Sequence, residues 1–228
     1  MPFPWRSRFF IERECLRDDG KSVNSVKMTT RNKITTLLAL SVPVAVAVSA
    51  VNPPAGNVWF IEIFWCVAYW VFLAATFRHF RFSNTAYAIA AFWCILQTVG
   101  AHYTFELVPL TQDCFGFERN HFDRIAHFAV GLNAFLISEF LFRKKIVPGL
   151  LAAAIGGFFV IVAVAGLWEI VEWLYAAYDG GEMGAAFLGS QGDIWDAQKD
   201  ILCDTLGGLV AGTLFAAIFR RAKSADNG

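Results

Sequence analysis

Charge is what this sequence has least of. Only 17% of its 228 residues are Asp, Glu, Lys or Arg, against roughly 25% in an ordinary soluble domain. The 19 basic and 19 acidic residues cancel. The basic clusters are short and separated by apolar runs, which argues against nucleic acid as a partner. Cysteine is sparse too: five residues without the paired spacings of a zinc module. Cys66 and Cys94 fall in apolar runs and read as packing residues. Cys114 and Cys203 fall on one side of the expected fold, where a disulfide is allowed and not required. The glycine-rich stretch 180–192 has no Gly-Lys-Ser/Thr ending, which excludes an ATP phosphate loop, and no organic cofactor is expected. No cleavable signal peptide is expected, because Arg31 and Lys33 precede a full-length apolar segment. There is no internal repeat.

Apolar residues fill the space that charge leaves. The chain is 57% hydrophobic, with 8 Trp and 23 Phe. Apolar segments run over 34–51, 58–77, 85–105, 123–142, 146–178 and 200–219. Several reach the roughly 18–20 residues that cross a bilayer. The expected fold is therefore all-α: a polytopic six-helix transmembrane bundle, formed by one domain over 28–221. Residues 1–27 are polar and basic. They are expected to be a disordered extension, with a short amphipathic surface helix over 5–15 as the alternative. Residues 222–228 form a short tail.

The basic residues are unevenly spread. The N-terminal region, the loops near 78–84 and 143–145, and the C-terminal tail hold 16 of the 19 Lys and Arg residues. The opposite ends of the six segments hold only Arg119, Arg124 and Lys199. Positive charge marks the cytoplasmic side, so both termini are expected there.

The acidic residues then sort to the outer face. Asp196, Asp200 and Asp204 are spaced by four and form one stripe on a helix that enters the membrane. Asp123 and His127 are an i,i+4 pair; Glu169 and Glu172 are an i,i+3 pair. His102 and Glu106 end the third segment. Ionisable groups at membrane depth mark function by default. Asp123, His127, Glu169 and Asp200 are the candidate catalytic residues. Glu169, Glu172, Asp200, Asp204 and His127 are candidate ligands of a divalent cation. Oxygen ligands suit magnesium, manganese or calcium, and the histidine adds zinc. Arg119, Lys199, Trp168 and His102 are the candidate substrate-binding residues. A lipid head group or lipid-linked phosphate would lie at this depth, with a carboxylate as general base. Two other readings stand beside this one: structural pairing of the acids and bases, and a transport or proton pathway.

Four stretches carry a family resemblance: Gly100-Ala-His-Tyr-Thr, Arg119-Asn-His-Phe-Asp-Arg-Ile-Ala-His-Phe, Trp168-Glu-Ile-Val-Glu-Trp and Gly192-Asp-Ile-Trp-Asp-Ala-Gln-Lys-Asp. Together they resemble the YjdF-type bacterial inner-membrane proteins, over about residues 28–219. The resemblance implies a six-span inner-membrane fold and no established activity. A more distant likeness to VanZ-like membrane proteins rests on Asp123, Arg124, His127 and Phe128, on Glu169 and Glu172, and on Asp200, Asp204 and Gly207. Glu172 and Asp204 are acids where that pattern has amides, which adds negative charge to the site. This likeness carries no mechanism.

Overall fold

The computed structural model describes residues 20–110, 118–179 and 181–226. Among them every regular element is a helix: α1 (Gly20–Ser49), α2 (Val58–Thr76), α3 (Asn84–Tyr103), α4 (Phe122–Gly131), α5 (Ala134–Arg143), α6 (Gly149–Asp179), α7 (Glu182–Leu188) and α8 (Asp196–Asp226). Five stretches are long and apolar enough to cross a membrane: Asn32–Ser49, Val58–Thr76, Phe122–Arg143, Gly149–Tyr178 and Asp196–Ala222. The all-helical, multi-span architecture expected from the sequence is thus present. The surface-helix reading over 5–15 falls outside the described residues. So does Cys114; Cys203 carries a free thiol.

α3 is not among the five, and its composition explains why. Its buried face is made of small or polar residues, including Ala86, Ala90, Ala91, Gln97, Thr98, Gly100 and Ala101. It packs against α1, α2 and α4. A helix sheathed by its neighbours needs little lipid-facing hydrocarbon. α3 nevertheless runs parallel to the apolar part of α1 from end to end. Thr35 donates to Asn84 Oδ1 at 3.0 Å at one end. At the other, His102 Nδ1 lies 2.8 Å from the Ser49 carbonyl.

The fourth apolar segment is one continuous run in sequence but two helices in space. The interruption sits at Leu132 and Asn133. The Asn133 side-chain amide donates to the carbonyls of Ala129 and Val130, each at 3.1 Å. Its backbone N–H turns to Val130 O. A side chain that takes carbonyls the helix would use for its own ladder breaks that ladder locally. Tyr69 on α2 donates to Asn133 Oδ1 at 2.7 Å and holds the break in place.

α8 packs along α4, α5 and α6, and its glycines serve different neighbours. A Cβ on Gly207 would meet Phe128 O at 2.1 Å, and one on Gly131 would meet Asp204 O at 2.1 Å. Here the α4 and α8 backbones touch. Gly208 faces Phe158 and Ile161 of α6, and Gly212 faces Ala154. The small residues of α8 therefore serve close packing with two helices at once.

Toward the end of the bundle that carries Arg81, Arg143 and Lys144, the core is aromatic. Phe135 and Phe215 are fully buried there, with Phe142 and Phe219 packed on them. Glu139 of α5 is also fully buried at this end. It pairs with Arg143, one turn on. Glu139 also accepts from Ser83 N at 2.8 Å and Ser83 Oγ at 2.7 Å. Ser83 is the N-cap of α3, so Glu139 ties the start of α3 to the middle of α5. At the opposite, acidic end, the glycine-rich connection contains the short helix α7. Its Phe187 ring packs on Tyr175 and Trp168 of α6.

Candidate functional site

α4 opens with Asp123 in its first turn, where a carboxylate complements the helix dipole. One turn on, His127 points at α8. The backbone contact between Gly131 and Gly207 brings the two helices close enough for direct pairing. His127 Nδ1 lies 2.8 Å from Asp204 Oδ2. His127 Nε2 lies 3.7 Å from Asp123 Oδ1 and 3.9 Å from Glu169 Oε1 on α6. Asp204 is fully buried, and Asp200, Glu169 and His127 are buried too. Asp204, as a carboxylate, accepts from Nδ1–H. That contact fixes the ring and turns Nε2 toward Asp123 and Glu169.

Arginine and lysine neutralise only the outer part of this set. Arg119 pairs with Asp196 and donates to the Ser190 carbonyl. Arg124 Nη2 lies 2.8 Å from Asp193 Oδ2 and 3.4 Å from Asp196 Oδ1, while its Nε is 3.8 Å from Asp200 Oδ1. Lys199 donates to Asp193 at 2.6 Å. Deeper in, Asp123, Asp204 and Glu169 face His127. Asp200 Oδ1, Asp204 Oδ1 and Glu169 Oε1 are buried without a hydrogen-bond partner. Ligand atoms of Asp123, His127 and Asp200 all lie within 4.8 Å of one another. A cation with bonds of about 2.0–2.6 Å fits between ligands so spaced.

Below this cluster lies a cavity of about 270 Å³. Asp123, His127, Glu172 and Asp204 stand on its polar side; Trp65, Trp93, Phe105, Ile161, Val164 and Trp168 form much of its wall. Glu62 lines it as well, with the Gln97 amide donating to its Oε2 at 3.2 Å. The cavity reaches as deep as Tyr69 and Asn133.

Of the residues singled out in the sequence, Asp123, His127, Glu169, Asp200 and Asp204 come together. Glu172 and Trp168 line the cavity. Arg119 and Lys199 are engaged by Asp196 and Asp193. His102 is not in the group: its ring nitrogen bonds the Ser49 carbonyl and ties α3 to α1. Sequence reasoning gave Arg124 no role in the site and left open whether Glu62 joins it. Arg124 is next to Asp123 and one turn from His127, a position from which a long side chain reaches the aspartate stripe. Glu62, Trp65 and Tyr69 recur at i, i+3 and i+7, the spacing of one helix face; what the sequence could not fix is which way that face turns.

The loops around the mouth are stitched by a buried asparagine. The Asn120 amide donates to Glu106 O at 2.9 Å and Val108 O at 2.6 Å. Gln191 exchanges two hydrogen bonds with the Asn120 backbone, at 3.0 and 3.1 Å. Burial raises the Glu106 carboxyl above its ordinary value, with Arg119 opposing. Burial, then Arg124 and Arg119, lowers His121. Lys199, then the Trp195 N–H, hold the Asp193 carboxyl well below the usual carboxylate range. A carboxyl depressed in the folded state contributes its full stabilisation above the unfolded value of about 4 and loses it as pH falls through the folded value. Hydrogen exchange over 189–195, corrected for intrinsic rate, is therefore expected to be unchanged between pH 7 and 5 and faster at pH 3. Equal protection at pH 7 and pH 3 would refute this account of the loop.

Comparison with known proteins places these features in a family. Residues 34–221 match the model of a family described as "Predicted membrane protein (DUF2238)". The chain is 33% identical over 165 residues to the inner membrane protein YjdF of Escherichia coli (strain K12), covering 71% of this chain and 78% of that protein. No solved structure matches.

Proposed function

Because the chain belongs to the DUF2238 family of membrane proteins, it is a multi-pass inner-membrane protein, and from its site we propose that it holds a divalent cation and acts on a phosphate ester of a membrane lipid. The observation that carries this reading is the set of buried carboxylate oxygens without partners around His127. Buried carboxylate oxygens short of hydrogen bonds are costly, and a cation among Asp123, His127 and Asp200 would offset part of that cost. Magnesium, manganese, calcium and zinc all fit an oxygen set with one imidazole. Asp204 positions the imidazole. Glu169, beside the ligand set, is the candidate base for a water attacking phosphorus. A substrate phosphate would be repelled by the acids alone and attracted once the cation is bound. The likeness to VanZ-like proteins adds no chemistry to this reading.

In the same proposal α3 is a sixth span, supported by its end-to-end pairing with α1. Both termini are cytoplasmic, supported by the placement of 16 of 19 basic residues. The site then opens on the outer leaflet. Single cysteines at Ser190 and Lys145, labelled in intact cells, check this: only the first is expected to react with an impermeant reagent. Labelling at position 145 alone would invert the topology.

A polar pathway is the rival that a specific observation favours, because Glu62, Gln97, Tyr69 and Asn133 extend polarity inward from His127. Against it, Phe135 and Phe215 are fully buried on the far side of Asn133, which leaves a pocket and not a through-path. Asp200→Asn separates the two. It removes one ligand charge and keeps the side chain's shape. Manganese affinity of the purified protein is expected to fall at least 100-fold, with thermal unfolding little changed. A wild-type protein that binds no divalent ion would end the metal reading.

A further inference from the structure

We propose that the cavity beneath the cation site seats one hydrocarbon chain of a lipid phosphate, and that the chain enters sideways from the bilayer between α2 and α6. This deepens the preceding reading and rests on it for the phosphate end; the chain end rests on the cavity itself.

Away from His127 the wall is mostly apolar, with Glu62, Gln97 and Asn133 as its polar members. Trp65 and Tyr69 come from α2, Trp93 from α3, and Ile161, Val164 and Ala165 from α6. Two of these lining residues are also open to the outside: Trp65 is 43% exposed and Val164 is 46% exposed. They stand on different helices. α2 packs mainly on α3, and α6 on α5, α8 and α7; no extensive packing joins α2 to α6. Near the acidic end the gap is bridged by an edge-to-face pair, Trp65 on Trp168, with ring centroids 5.6 Å apart. The exposed parts of Trp65 and Val164 mark the proposed entry, on the side where lipid would lie.

Depth and chemistry select the occupant. Along α6 the lining runs from Glu172 to Ile161, eleven residues at about 1.5 Å each, or about 16 Å. That is about half of a hydrocarbon core of roughly 30 Å, the depth of one leaflet. The outer end meets His127, Asp123 and Asp204; the inner end is closed by Asn133, held by Tyr69. A free phosphate would leave the aromatic wall unused, and a neutral lipid would leave the cation site unused. A chain ending in a phosphate uses both. The volume of about 270 Å³ is below the roughly 300–1,000 Å³ of pockets that enclose drug-sized ligands, so it suits one chain and not a two-chain phospholipid.

The test uses the full-length protein in nanodiscs, a dodecyl phosphate bearing a terminal diazirine, and manganese followed by electron paramagnetic resonance. Photolabelling is expected on Tyr69, Trp93 or Ile161. Val164→Trp adds bulk at the exposed rim and is expected to cut that labelling at least tenfold while the manganese signal stays at the wild-type level. Labels confined to the outer faces of the bundle, or equal labelling of wild type and Val164→Trp, would overturn the proposal. If manganese fails to bind while cavity labelling persists and still falls in Val164→Trp, the chain site stands and the cation reading falls.

Discussion

Replacing His127 with alanine is expected to destabilise the protein by about 3–5 kcal/mol, the cost of leaving a buried charge without its partner. The residue left behind is Asp204, fully buried, whose second oxygen already has no hydrogen-bond partner. Asp123 and Glu169 also lose the one basic group that faces them both. The loss is specific to charge, so Asp204→Asn in the His127→Ala background is expected to recover part of it. Denaturant or thermal unfolding in detergent, run as a double-mutant cycle, measures both steps. A single mutant within about 0.5 kcal/mol of wild type would show that Asp204 is neutral or otherwise paired, a value typical of substitutions away from such features.

The second large effect lies in the backbone contact that makes this pairing available. Gly207→Ala places a methyl 2.1 Å from Phe128 O and 3.0 Å from Gly131 Cα. Both obstacles are main chain, so no rotamer change relieves them. Overpacking of a tight core costs about 1–3 kcal/mol and sometimes more, and here the upper end or beyond is expected. α4 and α8 must separate, which draws His127 from Asp204 and weakens cation binding together with stability. Gly212→Ala, whose methyl would meet Ala154 at an ordinary 3.7–3.8 Å, is expected to be near neutral or slightly stabilising. Unfolding of the pair of variants side by side decides it. Equal stability of the two would refute the contact as the determinant of the site.

Much of this arrangement could be read from residue spacing, because helix geometry is local. The stripe Asp196, Asp200, Asp204 and the pair Asp123, His127 needed only a period near 3.6. Their meeting needed the added inference that charged groups in a membrane bundle turn inward. The parts that could not be read depend on non-local choices. The break at Leu132 and Asn133 looks like any helical run until Tyr69, 64 residues away, takes the Asn133 side chain. Glu62 could face lipid, α1 or the site, and Gln97 on a neighbouring helix decides it. His102 carries the same chemistry as His127, yet it lies against a carbonyl of α1 and not among acids. α3 falls short on hydropathy because its setting is protein.

The order in which the chain is made gives the Asp204–His127 pairing a further consequence. The partners are 77 residues apart, and Asp204 belongs to the last helix. Its uninterrupted apolar run, 206–219, covers only 14 residues, short of the roughly 20 that span a bilayer unaided. The remaining length must come from the segment that carries Asp200 and Asp204, and an aspartate in a spanning helix opposes insertion, by about 2.5–3.5 kcal/mol at the centre and by less toward the end where these two lie. During biogenesis α8 thus depends on α4 and α6 being already in the membrane, with His127 and the glycine groove waiting. The acidic stripe makes the final helix a poor passenger by itself and a good one only for a bundle that has already been assembled correctly.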